Sequence, residues 1–184
     1  MNAARIRALV IVGVLLVASI VLVKITISDD KQSHASYTNS CPEGTIAVVT
    51  DPLPNYPQIN LKIYNASTVV GQANAVASEL GVRGFKVAKV GPHDDKPTTA
   101  SVVDITYGPS TVGAAWVVRA EFLLNASAPL NMAGMHFSVT NKSNVVTVVI
   151  GTNFKQLGAK SEVNQAIAAL KTPPAPAGTC ADNP

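Results

Sequence analysis

The apolar stretch at residues 8–27 places the strongest constraint on how this chain folds. Its first part, A-L-V-I-V-G-V-L-L-V-A-S-I-V-L-V, carries no charge, and Lys24 follows it. A helix of this length is about 30 Å long, which matches the hydrocarbon core of a bilayer. Arg5 and Arg7 precede the stretch and no acid does, so the positive-inside rule leaves residues 1–7 in the cytoplasm. The sequence therefore predicts a single-pass transmembrane helix at 8–27, with the rest of the chain extracytoplasmic.

A cleaved signal peptide is the alternative to this anchor. The apolar region of a signal peptide is shorter, about 7–15 residues, and ends at a small-x-small site. Here A-S-I at 18–20 lies inside the apolar stretch, no A-x-A occurs in residues 28–44, and the T-N-S before Cys41 is not a lipobox. These observations favour the uncleaved anchor in the cell membrane.

The distribution of charge argues against a nucleic-acid partner. The chain has 14 basic and 11 acidic residues, but three of the basic residues lie in or beside the apolar stretch. Residues 25–184 therefore carry 11 groups of each sign and no net charge. A nucleic-acid-binding domain usually carries a basic excess or patch, so we expect none here.

Polar and proline-rich segments set the domain limits. Residues 28–44 are polar and turn-rich, which indicates a linker, and residues 172–184 indicate a Pro-rich tail. The folded domain is predicted between them, at residues 45–171. Cys41 and Cys180 flank this domain, and in an oxidising compartment we expect them to form a disulfide. Two free thiols are the alternative, and a metal site is disfavoured because no His lies at ligand spacing from either Cys.

Hydrophobic periodicity predicts alternating strands and helices. Apolar runs and alternation indicate strands at residues 45–50, 59–64, 85–90, 102–107 and 145–150. Helical spacing of apolar residues indicates helices at 69–80, 112–124 and 160–171, with Gly81 as the first stop. This order predicts an α/β (α+β) fold, a split β-α-β-β-α-β sandwich with an extra strand and a C-terminal helix. Residues 125–144 give no clear pattern, apart from one further strand candidate at 135–139.

Four segments carry a resemblance to a known family. They are I-N-L-K-I-Y-N-A-S at 59–67, G-V-R-G-F-K-V at 81–87, I-T-Y-G-P at 105–109 and V-V-I-G-T-N-F at 148–154. In this order they resemble the LytR C-terminal domain family. The resemblance implies a non-catalytic cell-envelope protein. One anchor and one such domain, with no phosphotransferase domain between them, is similar to a mycobacterial protein needed for envelope integrity and virulence. The expected partners are envelope-biosynthesis proteins or a cell-wall polymer.

The sequence shows no convergent catalytic or metal-binding motif. It has no G-x-S-x-G, H-E-x-x-H or P-loop pattern. The H-D-D at 93–95 is typical of a solvated turn, with a cation site as the alternative, and the other histidines are His34 and His136. The carboxylates that a wall-glycan hydrolase or transferase would use fall on separate segments: Asp94, Asp95, Asp104 and Glu121. We therefore predict no catalytic residue, no metal and no cofactor, and keep the enzyme as an alternative.

Two turns supply the candidate binding residues. In a split βαβ sheet the strands at 59–64 and 102–107 are parallel neighbours, so both following helices begin at one edge. Paired helix N-termini favour an anion such as a phosphate or a glycan acid. The candidate anion- or partner-binding residues at this edge are Asn65, Ser67, Tyr107, Gly108, Ser110 and Thr111. The alternative is that Ser67 and Ser110 only cap their helices.

Two further features leave alternatives open. Arg83, Lys86 and Lys89 form either a basic patch or a solvated strand face. Trp116 is either a core residue or an exposed aromatic for docking. The function that the sequence favours is a membrane-anchored, non-catalytic protein that binds a partner protein or wall polymer. A lipid- or anionic-glycopolymer-binding domain is the alternative.

Overall fold

The structure, a computed structural model, describes residues 41–93, 101–122 and 134–182. Within these ranges the strands are β1 (Ile46–Val48), β2 (Asn60–Asn65), β3 (Lys86–Pro92), β4 (Val103–Tyr107), β5 (Met135–Phe137), β6 (Val145–Ile150) and β7 (Thr179–Ala181). The helices are α1 (Gln72–Arg83), α2 (Val112–Glu121) and α3 (Lys160–Leu170). The predicted anchor at 8–27 and most of the predicted linker lie outside the described residues. In the part that is described, no helix has the length and hydropathy needed to cross a membrane.

Five strands form one mixed sheet in the order β3-β2-β6-β4-β5. β2 is parallel to both β3 and β6, whereas β4 is antiparallel to β6 and parallel to β5. In the chain, α1 lies between β2 and β3, and α2 lies between β4 and β5. Each of these helices therefore lies, in the chain, between two strands that are parallel neighbours in the sheet. The mixed α/β composition confirms the α+β class.

The predicted split arrangement of the strands is wrong. It requires the strands at 59–64 and 102–107 to be parallel neighbours, but β6 lies between them and they run in opposite directions. The reason lies in β6, V-V-T-V-V-I, whose β-branched side chains favour the middle of a sheet, where both of its edges are paired. Periodicity identifies the strands, but burial decides which strands pair.

The sheet has one face under the helices and one face open to solvent. Side chains of β2, β4 and β6 that point to the helices are fully buried: Leu61, Ile63, Val103, Ile105, Val146 and Val148. Val76 and Leu80 of α1 and Val112 and Val118 of α2 belong to the same apolar core. The residues between them on each strand are half-buried, as the two-residue period of a strand requires.

Helix α2, which the sequence predicted at 112–124, is buried on nearly every side. Trp116 is 1% exposed, which confirms the core interpretation over the docking one. The guanidinium of Arg119 lies 5.1 Å from the centre of the Trp116 ring. A helix that is hydrophobic all round is normally a buried one, and eight of the ten residues of α2 are buried.

Helix α1 begins and ends three residues later than the sequence predicted. The backbone N–H of Ser67 donates to Asn65 Oδ1 at 3.0 Å, and that of Val69 donates to Ser67 Oγ at 3.2 Å. These local bonds hold residues 65–69 in turns, which compete with the helix. Gly84, with φ of 109°, ends the helix, and Gly81 lies inside it.

The shifted end of α1 predicts opposite effects for two glycine substitutions. Gly81→Ala should stabilise the domain by about 0.5–1 kcal/mol, because alanine favours a helix interior and the new Cβ meets nothing within 4 Å. Gly84→Ala should destabilise it by about 1–2 kcal/mol, because Gly84 is in the left-handed region. Thermal unfolding of both variants measures this. The opposite order would place the helix end at Gly81.

A second, two-stranded sheet joins the two ends of the domain. β1 pairs in parallel with β7, with Ala47 opposite Cys180. Cys41 and Cys180 form a disulfide with their Cα atoms 5.6 Å apart, which confirms the predicted pair. The segment predicted as a Pro-rich tail therefore contributes a strand, which its proline content did not indicate.

Candidate binding surface on the open sheet face

Lysines cluster on the open face of the sheet at β2 and β3. Lys62 on β2 lies directly opposite Lys89 on β3, and Lys86 lies opposite Asn60 two pairs earlier. Lys86 and Lys89 are exposed and Lys62 is half-exposed. β2 and β3 contain no acidic residue. We call Lys62, Lys86 and Lys89 the lysine face.

A β-bulge places the lysines on the same face. Residues three apart in a regular strand point to opposite faces, and Lys86 and Lys89 are three apart. The register shifts between Leu61 and Lys62, so that Ala88 of β3 has no opposite residue. Because Ala88 is an extra residue, the alternation of side chains between the two faces shifts by one. Lys89 therefore points to the same side of the sheet as Lys86. Bulges commonly re-aim a side chain in this way.

An aromatic pair borders the lysine face. Lys89 Nζ lies 5.6 Å from the centre of the Tyr64 ring, within range of a cation–π contact. The imidazole of His93 meets the same ring edge-on, with centroids 6.2 Å apart. Like charges placed opposite each other in a sheet are destabilising. The repulsion between Lys62 and Lys89 therefore lowers the stability of the folded domain, and a bound anion would offset this repulsion.

The other side of the open face has a different chemistry. Asp104 Oδ1 lies 3.1 Å from His136 Nε2, and Ser101 Oγ donates to Asp104 Oδ2 at 2.8 Å. His136 is exposed and Asp104 is half-buried. Asp104 is thus held by neighbouring side chains on the open face of β4. The open face is basic at β2–β3 and carries a carboxylate at β4–β5.

The six predicted edge residues do not form one site. Asn65 at the end of β2 pairs with Ile150 of β6, and Ile150 pairs in turn with Val103 at the beginning of β4. Asn65 and Ser67 therefore lie at one end of the sheet, whereas the other four lie at the opposite end of β4 or directly after it: Tyr107, Gly108, Ser110 and Thr111. The predicted pairing of two helix N-termini at one edge is wrong because β2 and β4 are antiparallel.

Each half of the predicted edge borders a different cleft. Asn65 and Ser67 line one of about 490 Å³ beside the start of α1. Ser110 and Thr111 line one of about 190 Å³. Neither serine caps its helix. Ser67 Oγ donates to Asn65 Oδ1 at 2.7 Å, and Ser110 Oγ donates to the Ser143 carbonyl at 3.3 Å.

A buried ion pair accounts for two of the other candidate residues. Glu121 is fully buried, and its Oε2 accepts a hydrogen bond from Arg83 Nη1 at 2.5 Å. Arg83 Nη2 also contacts Glu79 and donates to the Gly158 carbonyl at 2.8 Å. Burial raises the pKa of Glu121, and Arg83 opposes that shift. Arg83 is therefore a structural cation and does not belong to the predicted basic patch.

Sequence reasoning missed this ion pair. The available signal was a single acid within the apolar helix segment V-V-R-A-E-F at 117–122, since a buried charge must be paired. Of the other candidate carboxylates, Asp94 and Asp95 lie outside the described residues. Across residues 41–93, 101–122 and 134–182, no three His, Cys, Asp or Glu side chains are grouped to hold a metal.

Comparison with known proteins gives the family. No curated protein matches the chain. The crystal structure of the soluble domain of a conserved hypothetical secreted protein from Mycobacterium marinum is similar, with 22% identity and a TM-score of 0.49 over 71% of this chain and 81% of that one. The sequence model described as LytR cell envelope-related transcriptional attenuator matches residues 58–154, just over half of the chain. That match covers β2 through β6 with both helices between them, and the chain belongs to the LytR C-terminal domain family.

Proposed function

We propose that this chain is a membrane-anchored, non-catalytic protein that supports cell-envelope integrity by binding an anionic wall polymer through the lysine face. Membership of the family implies a cell-envelope-associated role. The lysine face is the single observation that carries the choice of ligand.

Charge complementarity supports an anionic polymer as the ligand. Three lysines on two adjacent strands, without an acid on either strand, present an extended positive surface. A repeating phosphate or carboxylate polymer contacts several cations at once, and such contacts add through multivalency. Tyr64 at the border offers an aromatic ring against which a sugar packs.

The predicted location agrees with a wall ligand. The sequence predicts an anchor at 8–27 with the domain outside the membrane. The disulfide between Cys41 and Cys180 is typical of proteins in an oxidising compartment. A domain anchored in this way on the extracytoplasmic side of the cell membrane contacts wall polymer directly.

Removal of the lysine face should weaken binding of phosphate-bearing wall polymer. The test uses the full chain in phosphatidylcholine vesicles, co-sedimented with purified polymer. The variant Lys62→Gln/Lys86→Gln/Lys89→Gln should lose about 3 kcal/mol, or roughly 100-fold in affinity, at low salt, at about 1 kcal/mol per lysine. The salt dependence of binding should also become shallower.

A charge-matched control makes this test specific. Lys155, Lys160 and Lys171 are exposed and lie outside β2 and β3, so Lys155→Gln/Lys160→Gln/Lys171→Gln removes the same charge elsewhere. This control should bind within about threefold of the unmodified chain because distant charges are screened. Equal loss in both triple variants would refute a defined face. Shortening of the polymer by the unmodified chain would favour the hydrolase alternative.

A further inference from the structure

A cleft of about 470 Å³ lies on the helix side of the domain, between segment 53–57, α2 and α3. Its walls are largely apolar and include Leu53, Pro54, Pro57, Val117, Ile167 and Ala168. Protein sites for small molecules measure about 300–1,000 Å³ and combine apolar walls with a few polar groups. The cleft has the size and the lining of such a site.

Arg83, which lines this cleft, has a buried hydrogen-bond donor with no partner in the part of the chain that the structure describes. Its side chain lines the cleft and is 7% exposed. The two Nη atoms bind Glu121, Glu79 and the Gly158 carbonyl, but Nε has no acceptor among the described residues. A buried donor without a partner costs about 1–3 kcal/mol. A ligand atom that accepts from Nε would remove this cost.

The charges around Arg83 favour an uncharged acceptor. Glu121 and Glu79 both contact the same guanidinium, so its positive charge is already balanced. A carboxylate or phosphate head would meet two carboxylates, whereas an ester carbonyl would not. Tyr56 also lines the cleft, and burial together with Glu121 raises its pKa to about 12. The Tyr56 hydroxyl therefore stays neutral and adds no charge.

We propose that this cleft binds the acyl chain of an uncharged lipid ester, whose carbonyl accepts a hydrogen bond from Arg83 Nε. The apolar walls hold the chain, and the unused donor fixes the ester group. The cleft lies on the opposite side of the sheet from the lysine face. The two sites are separate, and this proposal does not depend on polymer binding.

Trp116 provides a direct test. It is the one tryptophan of the chain and precedes Val117, which lines the cleft. The full chain is reconstituted in phosphatidylcholine vesicles and titrated with the methyl ester of dibromostearic acid, whose bromines quench indole fluorescence on close approach. Trp116 emission should fall as the ester is added. The free dibromostearic acid at pH 8 should quench it less, because its carboxylate meets Glu79 and Glu121.

Substitutions at two neighbouring residues of α3 distinguish quenching by ester bound in the cleft from quenching by ester in the nearby membrane. Ala168 lines the cleft and Ala169 does not, and both are exposed. Ala168→Phe should fill the cleft and abolish quenching, whereas Ala169→Phe should keep it, with equal thermal unfolding of the two variants as the check on folding. Equal quenching in both variants, or stronger quenching by the free acid, would overturn the proposal. Absence of quenching in the unmodified chain would also overturn it.

Discussion

Loss of the Cys41–Cys180 disulfide should cost the domain about 5 kcal/mol of its free energy of unfolding, since the bond closes a loop of 139 residues. Small domains are stable by about 5–15 kcal/mol, so this loss brings the folded state close to its limit. β1 and β7 are three residues each and would pair weakly without the covalent link. We expect their pairing to be lost first.

The disulfide prediction is measured by urea unfolding of the full chain in detergent, followed by Trp116 fluorescence. Cys180→Ser, Cys41→Ser and the reduced unmodified chain should all show the same lowered stability, because each removes the same closed loop. A loss below about 1 kcal/mol in all three would contradict the loop-closure account. The unmodified oxidised chain is the reference.

Arg83→Met should destabilise the domain by about 3–5 kcal/mol, because it leaves the fully buried Glu121 without its cation. Glu121→Met should cost less, because Glu79 still contacts Arg83. The double variant Arg83→Met/Glu121→Met should recover most of the loss, since an apolar pair often replaces a buried ion pair at little cost. Glu79→Gln is the control, because Glu79 is 51% exposed and exposed pairs contribute about 0–1 kcal/mol.

The loss in Arg83→Met should depend on pH. Arg83 lowers the pKa of Glu121 against the rise that burial causes, so removing the guanidinium raises this pKa further. A carboxyl whose pKa is raised in the folded state is tolerated below its ordinary pKa of 4.5 and destabilises the fold as the pH rises above that value. The defect should therefore be smaller in acid than at neutral pH. A defect that does not change with pH would mean that Glu121 is not left charged and buried.

The elements that the sequence predicted best are those whose side chains carry a regular pattern. The strand predicted at 145–150 is confirmed residue for residue, because its alternate side chains enter the core. The helix at 160–171 is confirmed within one residue. α1 was displaced because the turn bonds of Asn65 and Ser67 postpone the first helical residue to Gln72. Short-range polar bonds of this kind leave no hydrophobic signature.

The strand order and the two-stranded sheet of β1 and β7 could not be predicted from local sequence patterns. The pattern shows which face of a strand is buried, but the position of β6 between β2 and β4 is decided by the burial of the whole sheet. β7 has three residues and no pattern of its own, and its pairing with β1 accompanies the disulfide.

The candidate site was predictable only in part. The cysteine pair followed from the absence of other cysteines. Lys86 and Lys89 were noted together, but their common face depends on the bulge at Ala88, and their third member, Lys62, depends on the pairing of β2 with β3. The predicted anion site at paired helix N-termini is wrong, because the predicted strand arrangement on which it depended is wrong. The Arg83 cleft is assembled from four separate segments, which no local pattern connects.

NMR of the full chain with its lysines ¹³C-dimethylated tests the central claim most directly, because dimethylation keeps the positive charge and gives each lysine its own signal. Added phosphate-bearing wall polymer should shift the signals of Lys62, Lys86 and Lys89 and leave those of Lys155, Lys160 and Lys171 in place. Uniform shifts of all lysines, or no shift at the lysine face, would contradict the account.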